Sequence, residues 1–450
     1  MVDGLDVIVR ERDSSTMPGV AVGLIADGER EFATDGLIDL DNPLPVTPKA
    51  LFQLGSVTKT FTATAAMALV DRGEFALNGR VGDLLPNVDL GNLAERLTIE
   101  HLLTHCGGWQ GDWALFNAPP SPDTTALAEL VGRVSDVPRV APPGGPFSYD
   151  NFGWCVLGAV IEACLGTPFD IALGELVLRP LELEDTLFRE EDVALRRLCA
   201  GHTLNADGNG AVVATGTEPW ADHWPCRRAL WPTGGIVSTL TDMVEWAEFH
   251  LTGRSVKSDV LVPLSNESRL SMRLPRVESG GQGRKAALGW HIRFASGQTI
   301  LSHTGAAQGF SSHIALVPDR SSAMVALTNS ASGSVFASRV FSWFLEDVLD
   351  MRIDQPRLTG PIGNPAEVEG NYHSVSRSVR LVEATATTIT AEITDSGPTW
   401  HESSRRILRF AEGDRLIGTD GDNVSMEFGS LDDGRKWVRY RGRIHLVDEV

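Results

Sequence analysis

Ser56 and Lys59 stand three residues apart in the stretch Ser56-Val57-Thr58-Lys59. If that stretch opens a helix, positions three apart share a face with Cβ atoms about 5–6 Å from each other, so the lysine amine reaches back to the serine hydroxyl. A serine is a poor nucleophile until a neighbour takes its proton, and a desolvated lysine is such a neighbour. A helix start also aims unpaired N–H groups and the positive end of the dipole at charge developing beside Ser56. The chemistry would be acyl transfer through a serine ester. A serine cap followed by a surface lysine gives the same four residues, so the pair needs partners elsewhere in the chain.

Two further stretches supply them. Phe147-Ser148-Tyr149-Asp150-Asn151 follows a Pro/Gly-rich loop, Ala141 to Pro146, and precedes a helical pattern; the chain has only three tyrosines. A phenol beside a cation loses its proton more easily and can act as a general base. Asn151 can donate to a substrate carbonyl and accept from Lys59. His303-Thr304-Gly305 is expected at the end of a strand, followed by Ala306. Strand-edge N–H groups beside a serine make an oxyanion hole, and a glycine permits close approach of backbone and substrate. Helix start, loop and strand end, in that order, form one constellation.

In that order, S-x-x-K, Y-x-N and (K/H)-T-G resemble the three motifs of the serine β-lactamase-like and penicillin-binding-protein-like superfamily, class C type. Leu102-Leu103-Thr104-His105-Cys106-Gly107-Gly108 is similar to its LLTHTSG segment, and Thr233-Gly234-Gly235-Ile236-Val237-Ser238-Thr239 to its GG-(L/I)-x-ST segment. The likeness covers roughly residues 1 to 350. It implies that Ser56 forms the acyl-enzyme, that Tyr149 and Lys59 shuttle the proton, that Asn151 orients the pair, and that the N–H groups of Ser56 and Ala306 form the oxyanion hole. His303 stands where β-lactamases usually carry lysine, which turns the resemblance toward the esterase, D-aminopeptidase and transacylase branches.

Among these branches the chain looks most like the penicillin-binding-protein-type thioesterases of nonribosomal peptide pathways. That likeness implies a linear peptide taken from the pantetheine thioester of a peptidyl carrier protein and released as a macrocycle, with a D-residue at the acyl end. A well-oriented intramolecular amine can reach an effective molarity of about 10⁵ M, far above water. Trp231 and Trp109 are candidates for packing the acyl residue, Gly305 for close substrate approach, and Arg441 and Arg443 for holding a carbonyl or carboxylate. A cytoplasmic esterase, amidase or D-aminopeptidase would hydrolyse the same acyl-enzyme, and a non-catalytic binding module could reuse the fold.

The elements that position these residues are legible in outline. Gly19 to Ala26 reads as a buried strand with a hairpin partner, and Val57 to Asp71 as a helix. Helices are expected at Ile99 to Thr104, Asn151 to Leu165, Phe169 to Val177, Thr241 to Leu251 and Val335 to Leu349. Ala287 to Phe294, Thr299 to His303, His313 to Pro318 and Ala323 to Thr328 read as an antiparallel meander. The fold class expected is α/β (α+β), β-lactamase/transpeptidase-like: an antiparallel sheet flanked by helices, with a helical subdomain, over residues 1–353. The Pro/Gly-rich stretch Arg352 to Pro365 places a linker at 354–365. Seven short β-like runs beyond it predict a small antiparallel barrel or sandwich over 366–450, and the resemblance implies the lipocalin-like domain attached to some family members.

Composition narrows the setting. Hydrophobic residues make up 42% of the 450 and charged residues 22%, so a packed globular protein is expected. A net charge of -20 disfavours nucleic acid and anionic membrane as partners. The five cysteines match no metal or disulfide spacing, and neither an HExxH nor a nucleotide fingerprint is present, so no metal or cofactor is expected. With no cationic start leading into an apolar segment and no run of about 18 apolar residues, a cytoplasmic location is expected. Ser56→Ala should abolish labelling by a fluorophosphonate or penicillin probe; intact-mass spectrometry showing an adduct on that variant would remove Ser56 from the chemistry.

Overall fold

The computed structural model describes residues 4–205, 207–213, 226–254, 263–280, 283–354, 358, 364–396, 401–411, 414–418 and 425–447. An eight-stranded antiparallel sheet forms the centre. Its strands are β1 (Gly19–Ala26), β2 (Glu29–Gly36), β3 (Val277–Gly280), β4 (Arg284–Ala286), β5 (His291–Ala295), β6 (Gln298–Ala307), β7 (Phe310–Val317) and β8 (Ser322–Thr328), in the order β2-β1-β8-β7-β6-β5-β4-β3. Every residue of β1 is buried because both sheet faces are covered, which is why it reads as a continuous apolar run without alternation.

One face packs on α1 (Leu5–Arg10) and α5 (Gly333–Trp343), which share a core with Val20, Val22 and Leu24. The opposite face meets α2 (Thr58–Asp71), α3 (Asn151–Leu165) and α4 (Leu240–Thr252), whose larger core takes Ala21 and Ile25 from the same strand. Helix α2 is buried from Thr58 to Leu69. Alanine favours the helix and small side chains let neighbours approach. Its threonine hydroxyls are paired: Thr60 Oγ1 donates to the Val57 carbonyl at 2.8 Å and Thr64 Oγ1 to the Thr60 carbonyl at 2.9 Å, while Thr62 Oγ1 reaches outside the helix to the Pro232 carbonyl at 2.7 Å.

The meander differs from expectation at three places. Ala287 to Trp290 is a buried turn, closed by Ala287 N–H on the Trp290 carbonyl at 2.8 Å, and β5 begins only at His291. Strand β6 runs on to Ala307, so His303 lies inside a strand rather than at its end: Thr304, Gly305 and Ala306 pair with His313, Ser312 and Ser311. The sheet also continues through β4 and β3, whose short polar sequences carried no strand signal.

After residue 364 a closed eight-stranded antiparallel barrel runs from β9 (Gly370–His373) through β10 (Arg377–Val382), β11 (Thr388–Ser396), β12 (His401–Ala411), β13 (Arg415–Gly418), β14 (Ser425–Ser430) and β15 (Lys436–Tyr440) to β16 (Arg443–Val447). Strand β9 is the one that the apolar pattern missed; Tyr372 is its single large apolar residue, and pairing with β10 and β16 closes the barrel. The stretch expected as a linker, 354–365, falls largely outside the described residues. Among the described residues no single helix is long and apolar enough to cross a membrane.

The barrel meets the catalytic sheet through buried charge. Arg439, on β15, pairs with Glu427 on β14 and donates through Nε to the Phe147 carbonyl at 2.9 Å and through Nη1 to the Glu278 carbonyl at 3.3 Å. Both side chains of the pair are less than a tenth exposed. Removing one member strands the other in a poorly solvated site. Arg439→Met should cost on the order of 3 kcal/mol in denaturant unfolding, and Arg439→Met/Glu427→Met should recover part of it; equal loss in both variants would contradict a desolvated pair.

Candidate active site

The backbone sets up the serine before any side chain does. Leu54 N–H bonds the Ile236 carbonyl at 2.9 Å, Ile236 N–H bonds Thr58 Oγ1 at 3.1 Å, and Ser312 Oγ donates to the Leu54 carbonyl at 2.7 Å. A single 3₁₀ turn, Gly55–Val57, then leads into α2. Gly55 takes φ +50°, and a Cβ there would lie 2.4 Å from the Ala306 carbonyl oxygen and 2.8 Å from its nitrogen. Only glycine permits that approach. Consequently the amide after Gly55, that of Ser56, and the amide of Ala306 sit on two backbones in contact.

Lys59 is fully buried, and its amine has three acceptors: Ser56 Oγ at 3.1 Å, Asn151 Oδ1 at 2.9 Å and the Thr233 carbonyl at 2.9 Å. Three acceptors around one amine match the three N–H bonds of its protonated form, and release of one proton frees the amine to take the serine's. Nζ also lies 5.0 Å from the centroid of the Tyr149 ring. Hydroxyl, amine, amide and phenol, separated by up to 95 positions in sequence, therefore share one volume.

Tyr149 is held from several sides. Its N–H donates to the Gly442 carbonyl at 2.7 Å, so the turn between β15 and β16 fixes the loop. His105 stacks on its ring at 4.4 Å, and the Arg443 guanidinium lies 5.0 Å from the ring centre while bonding Asp112 at 2.5 Å. His105 takes φ +57°, a strained value for a residue with a side chain, and its Nδ1 accepts Asp150 N–H at 2.9 Å. That bond leaves the ring's other nitrogen as the protonated one in the neutral ring.

The buried His105 and His303 group with the half-buried His291 near Lys59. His291 and His303 ring centres are 5.0 Å apart, and His291 is 6.1 Å from Tyr149. Burial first, then the mutual repulsion of these rings and of Lys59, pushes His105 and His303 well below the usual histidine range. Burial and the Arg284, Arg293 and Lys59 charges push His291 down to about 3. Neutral imidazoles thus pack around the Lys59 amine at neutral pH. Neither His105 nor His291 stood out in sequence as part of the site; His105 lies in the LLTHTSG-like segment, while His291 carries no motif signal.

The remaining candidates fall differently. His303 is buried within β6 with Nδ1 2.8 Å from the Thr304 carbonyl. A Cβ on Gly305 would lie 1.9 Å from the Leu54 carbonyl oxygen, so its missing side chain makes room for the serine's backbone rather than for substrate. Trp109 is fully buried, edge-on to Phe152 at 5.1 Å: it is a core residue and does not line a cleft. Trp231 is also buried, with the Arg228 guanidinium 4.2 Å from its ring centre and Nε1 donating to the Cys226 carbonyl at 3.3 Å. Arg441 is exposed, 3.8 Å from Asp395 and 5.4 Å from the Tyr440 ring centre, whereas Arg443 is the arginine at the phenol. Among the described residues no cluster of His, Cys, Asp or Glu could hold a metal ion.

The beta-lactamase family model matches residues 5–341, and the chain belongs to that family. Penicillin-binding protein 4 of Amycolatopsis lactamdurans is 29% identical over 365 residues, covering 80% of this chain and 92% of that protein. An unguisins hydrolase of Aspergillus campestris is 27% identical, covering 77% of this chain and 64% of its own length. Among solved structures, SurE superposes with a TM-score of 0.77 at 26% identity over 99% of both chains, barrel included; SurE with D-Leu gives 0.75 at 25%, covering 98% of this chain and 97% of that one. The fold is that of serine acyl-transfer and hydrolase enzymes.

Asp150 caps α3 by accepting Phe152 N–H at 2.8 Å, yet burial lifts its carboxyl from 3.8 to about 7, against the pull of those amides, Lys59 and Arg139. The native chain therefore keeps a proton that the unfolded chain loses near pH 4, so this group's contribution to stability falls as pH rises from about 4 to about 7. Asp150→Asn keeps the cap without the titration. The variant's stability relative to the parent should improve by roughly 2 kcal/mol between pH 5 and pH 8; a difference flat with pH would contradict the raised carboxyl.

Proposed function

We propose that this enzyme forms an acyl-enzyme on Ser56 and releases a nonribosomal peptide from a carrier-bound thioester as a macrocycle, by head-to-tail amide formation with a D-residue at the acyl end. The observation that carries the acyl-enzyme reading is the buried Lys59 amine, 3.1 Å from Ser56 Oγ and held by Asn151 and Thr233. Ser56 Oγ attacks the thioester carbonyl carbon while its proton passes to the Lys59–Tyr149 pair. The carbonyl oxygen takes the negative charge and is stabilised by the Ser56 and Ala306 N–H groups, as preorganised donors do in a site that excludes water. The tetrahedral species collapses, the C–S bond breaks, and the proton returns to the departing pantetheine thiol.

In the second half-reaction the peptide's own amino group attacks the ester carbonyl, gives its proton to the same pair, and Ser56 leaves with a proton restored. No cofactor enters either step. The partner in this reading is a peptidyl carrier protein; neither nucleic acid nor membrane has a role. The likeness to SurE over the whole chain, and the SurE structure with D-Leu, support a D-configured acyl residue. The barrel supports the acyl-enzyme reading physically, since its β15–β16 turn accepts the Tyr149 N–H and Arg443 lies 5.0 Å from the centre of the phenol ring.

Hydrolysis of the same ester is the second reading, favoured by the similarity to an unguisins hydrolase. Incubation with a linear peptide pantetheine thioester ending in a D-residue separates the two by liquid chromatography and mass spectrometry. The macrocycle should be the main product, and the L-ended epimer should turn over at least tenfold more slowly. Mainly linear acid would reject cyclisation and leave the esterase, amidase or D-aminopeptidase reading in place.

A further inference from the structure

His105 stands where its residue type is not favoured. The helix Ile99–Leu103 ends in a paired reversal, with Cys106 N–H on the His101 carbonyl at 2.8 Å and His105 N–H on the Leu102 carbonyl at 3.3 Å. The residue just past the cap in such a reversal is left-handed, and glycine, then asparagine, is its usual occupant. His105 takes φ +57° there with a whole ring attached. Strain of this kind persists where the surroundings over-determine it, and it gathers at working sites.

From that position His105 grips four consecutive residues of the loop that carries the phenol. Its carbonyl accepts Ser148 N–H at 3.0 Å and its Nδ1 accepts Asp150 N–H at 2.9 Å. Its ring stacks on the Tyr149 ring, with 4.4 Å between centres and 25° between planes, and meets Phe147 edge-on at 5.2 Å. The ring is itself held: it is buried, and the Trp154 indole nitrogen lies 3.2 Å from both of its nitrogens.

The hydrogen bonds alone do not call for a ring. Asparagine adopts the left-handed conformation readily, and its Oδ1 branches from the same carbon as Nδ1 of histidine, where it can accept Asp150 N–H. Histidine adds a closed aromatic face, and Tyr149 is what that face meets. Stacking fixes the plane of the phenol, whose ring centre lies 5.0 Å from Lys59 Nζ. We propose that His105 is a positioning residue for acyl transfer that acts through Tyr149, holding the phenol in the orientation that exchanges a proton with Lys59 and Ser56. The inference rests on the Lys59–Tyr149 proton route proposed above, and its test needs no peptide, so it does not depend on cyclisation.

Labelling of the full chain by a fluorophosphonate is followed over probe concentration, giving a maximal rate and a half-saturating concentration. His105→Asn should lower the maximal rate about tenfold or more, with the half-saturating concentration within about twofold and the thermal midpoint close to the parent's. Tyr149→Phe should be slow as well, and Tyr149→Phe/His105→Asn no slower than Tyr149→Phe alone, because one residue acts through the other. His105→Phe returns a ring without the acceptor and should recover most of the rate at lower stability. A parental rate in His105→Asn, losses that multiply in the double variant, or a folded His105→Phe as slow as His105→Asn overturns the assignment. Parental labelling of Tyr149→Phe would instead remove the proton route itself, whereas a slow Tyr149→Phe beside a fast His105→Asn removes His105 alone.

Discussion

A primary amine with no exposure to solvent must spend every N–H inside the protein, and Lys59 imposes that demand on the whole molecule. Its acceptors come from the 3₁₀ turn that leads into α2, from the first residue of α3 and from the carbonyl of Thr233. An unpaired buried charge costs several kcal/mol, so these three segments cannot drift apart without a large penalty. Asn151 must open α3 at that point, and Thr233 must present its carbonyl just before the Gly234–Gly235 turn. The same constraint that stabilises the fold sets the geometry around Ser56.

Around that amine the protein places neutral rings. His105, His291 and His303 lie close to Lys59 and Tyr149, and burial keeps them unprotonated. Charging any of them would set like charges together where water cannot screen them. Because the unfolded chain protonates these histidines below about pH 6.5 and the native chain does not, their contribution to stability is lost as pH falls through that value. Asp150 works in the opposite sense, losing its contribution as pH rises toward 7. Between about pH 4 and pH 6.5 the two effects therefore oppose each other, the carboxyl gaining as pH falls while the histidines lose.

The barrel is part of this arrangement rather than an appendage. Gly442 bonds Tyr149, Arg439 bonds the Phe147 carbonyl, Arg443 bridges Asp112 to the phenol face, and Ile444 N–H bonds Ser148 Oγ at 3.2 Å. Every residue of the loop 147–149 thus has a partner on β15, β16 or the turn joining them. A loop joined to its own domain only through its ends would sample many conformations, and these contacts reduce that freedom.

Local pattern sufficed where one element serves one purpose. The S-x-x-K spacing, the Asn151 helix start, the buried β1 and most barrel strands follow from periodicity and capping, which act over a few residues. Patterns failed where neighbours distant in sequence decide the outcome. Ala287 to Trp290 looks like a strand because core turns are as apolar as core strands. Strand β9 looks like nothing because its identity comes from the strands it joins. Trp109 has the composition of a binding residue, but packing against Phe152 makes it core. The sequence by itself determined which groups could perform acyl transfer and roughly which elements carry them. Only the tertiary structure decided that His105 and His291 surround the phenol, that Arg443 reaches it while Arg441 does not, and that Gly305 yields space to the Leu54 carbonyl. Burial and proximity are properties of the folded whole, and no local window contains them.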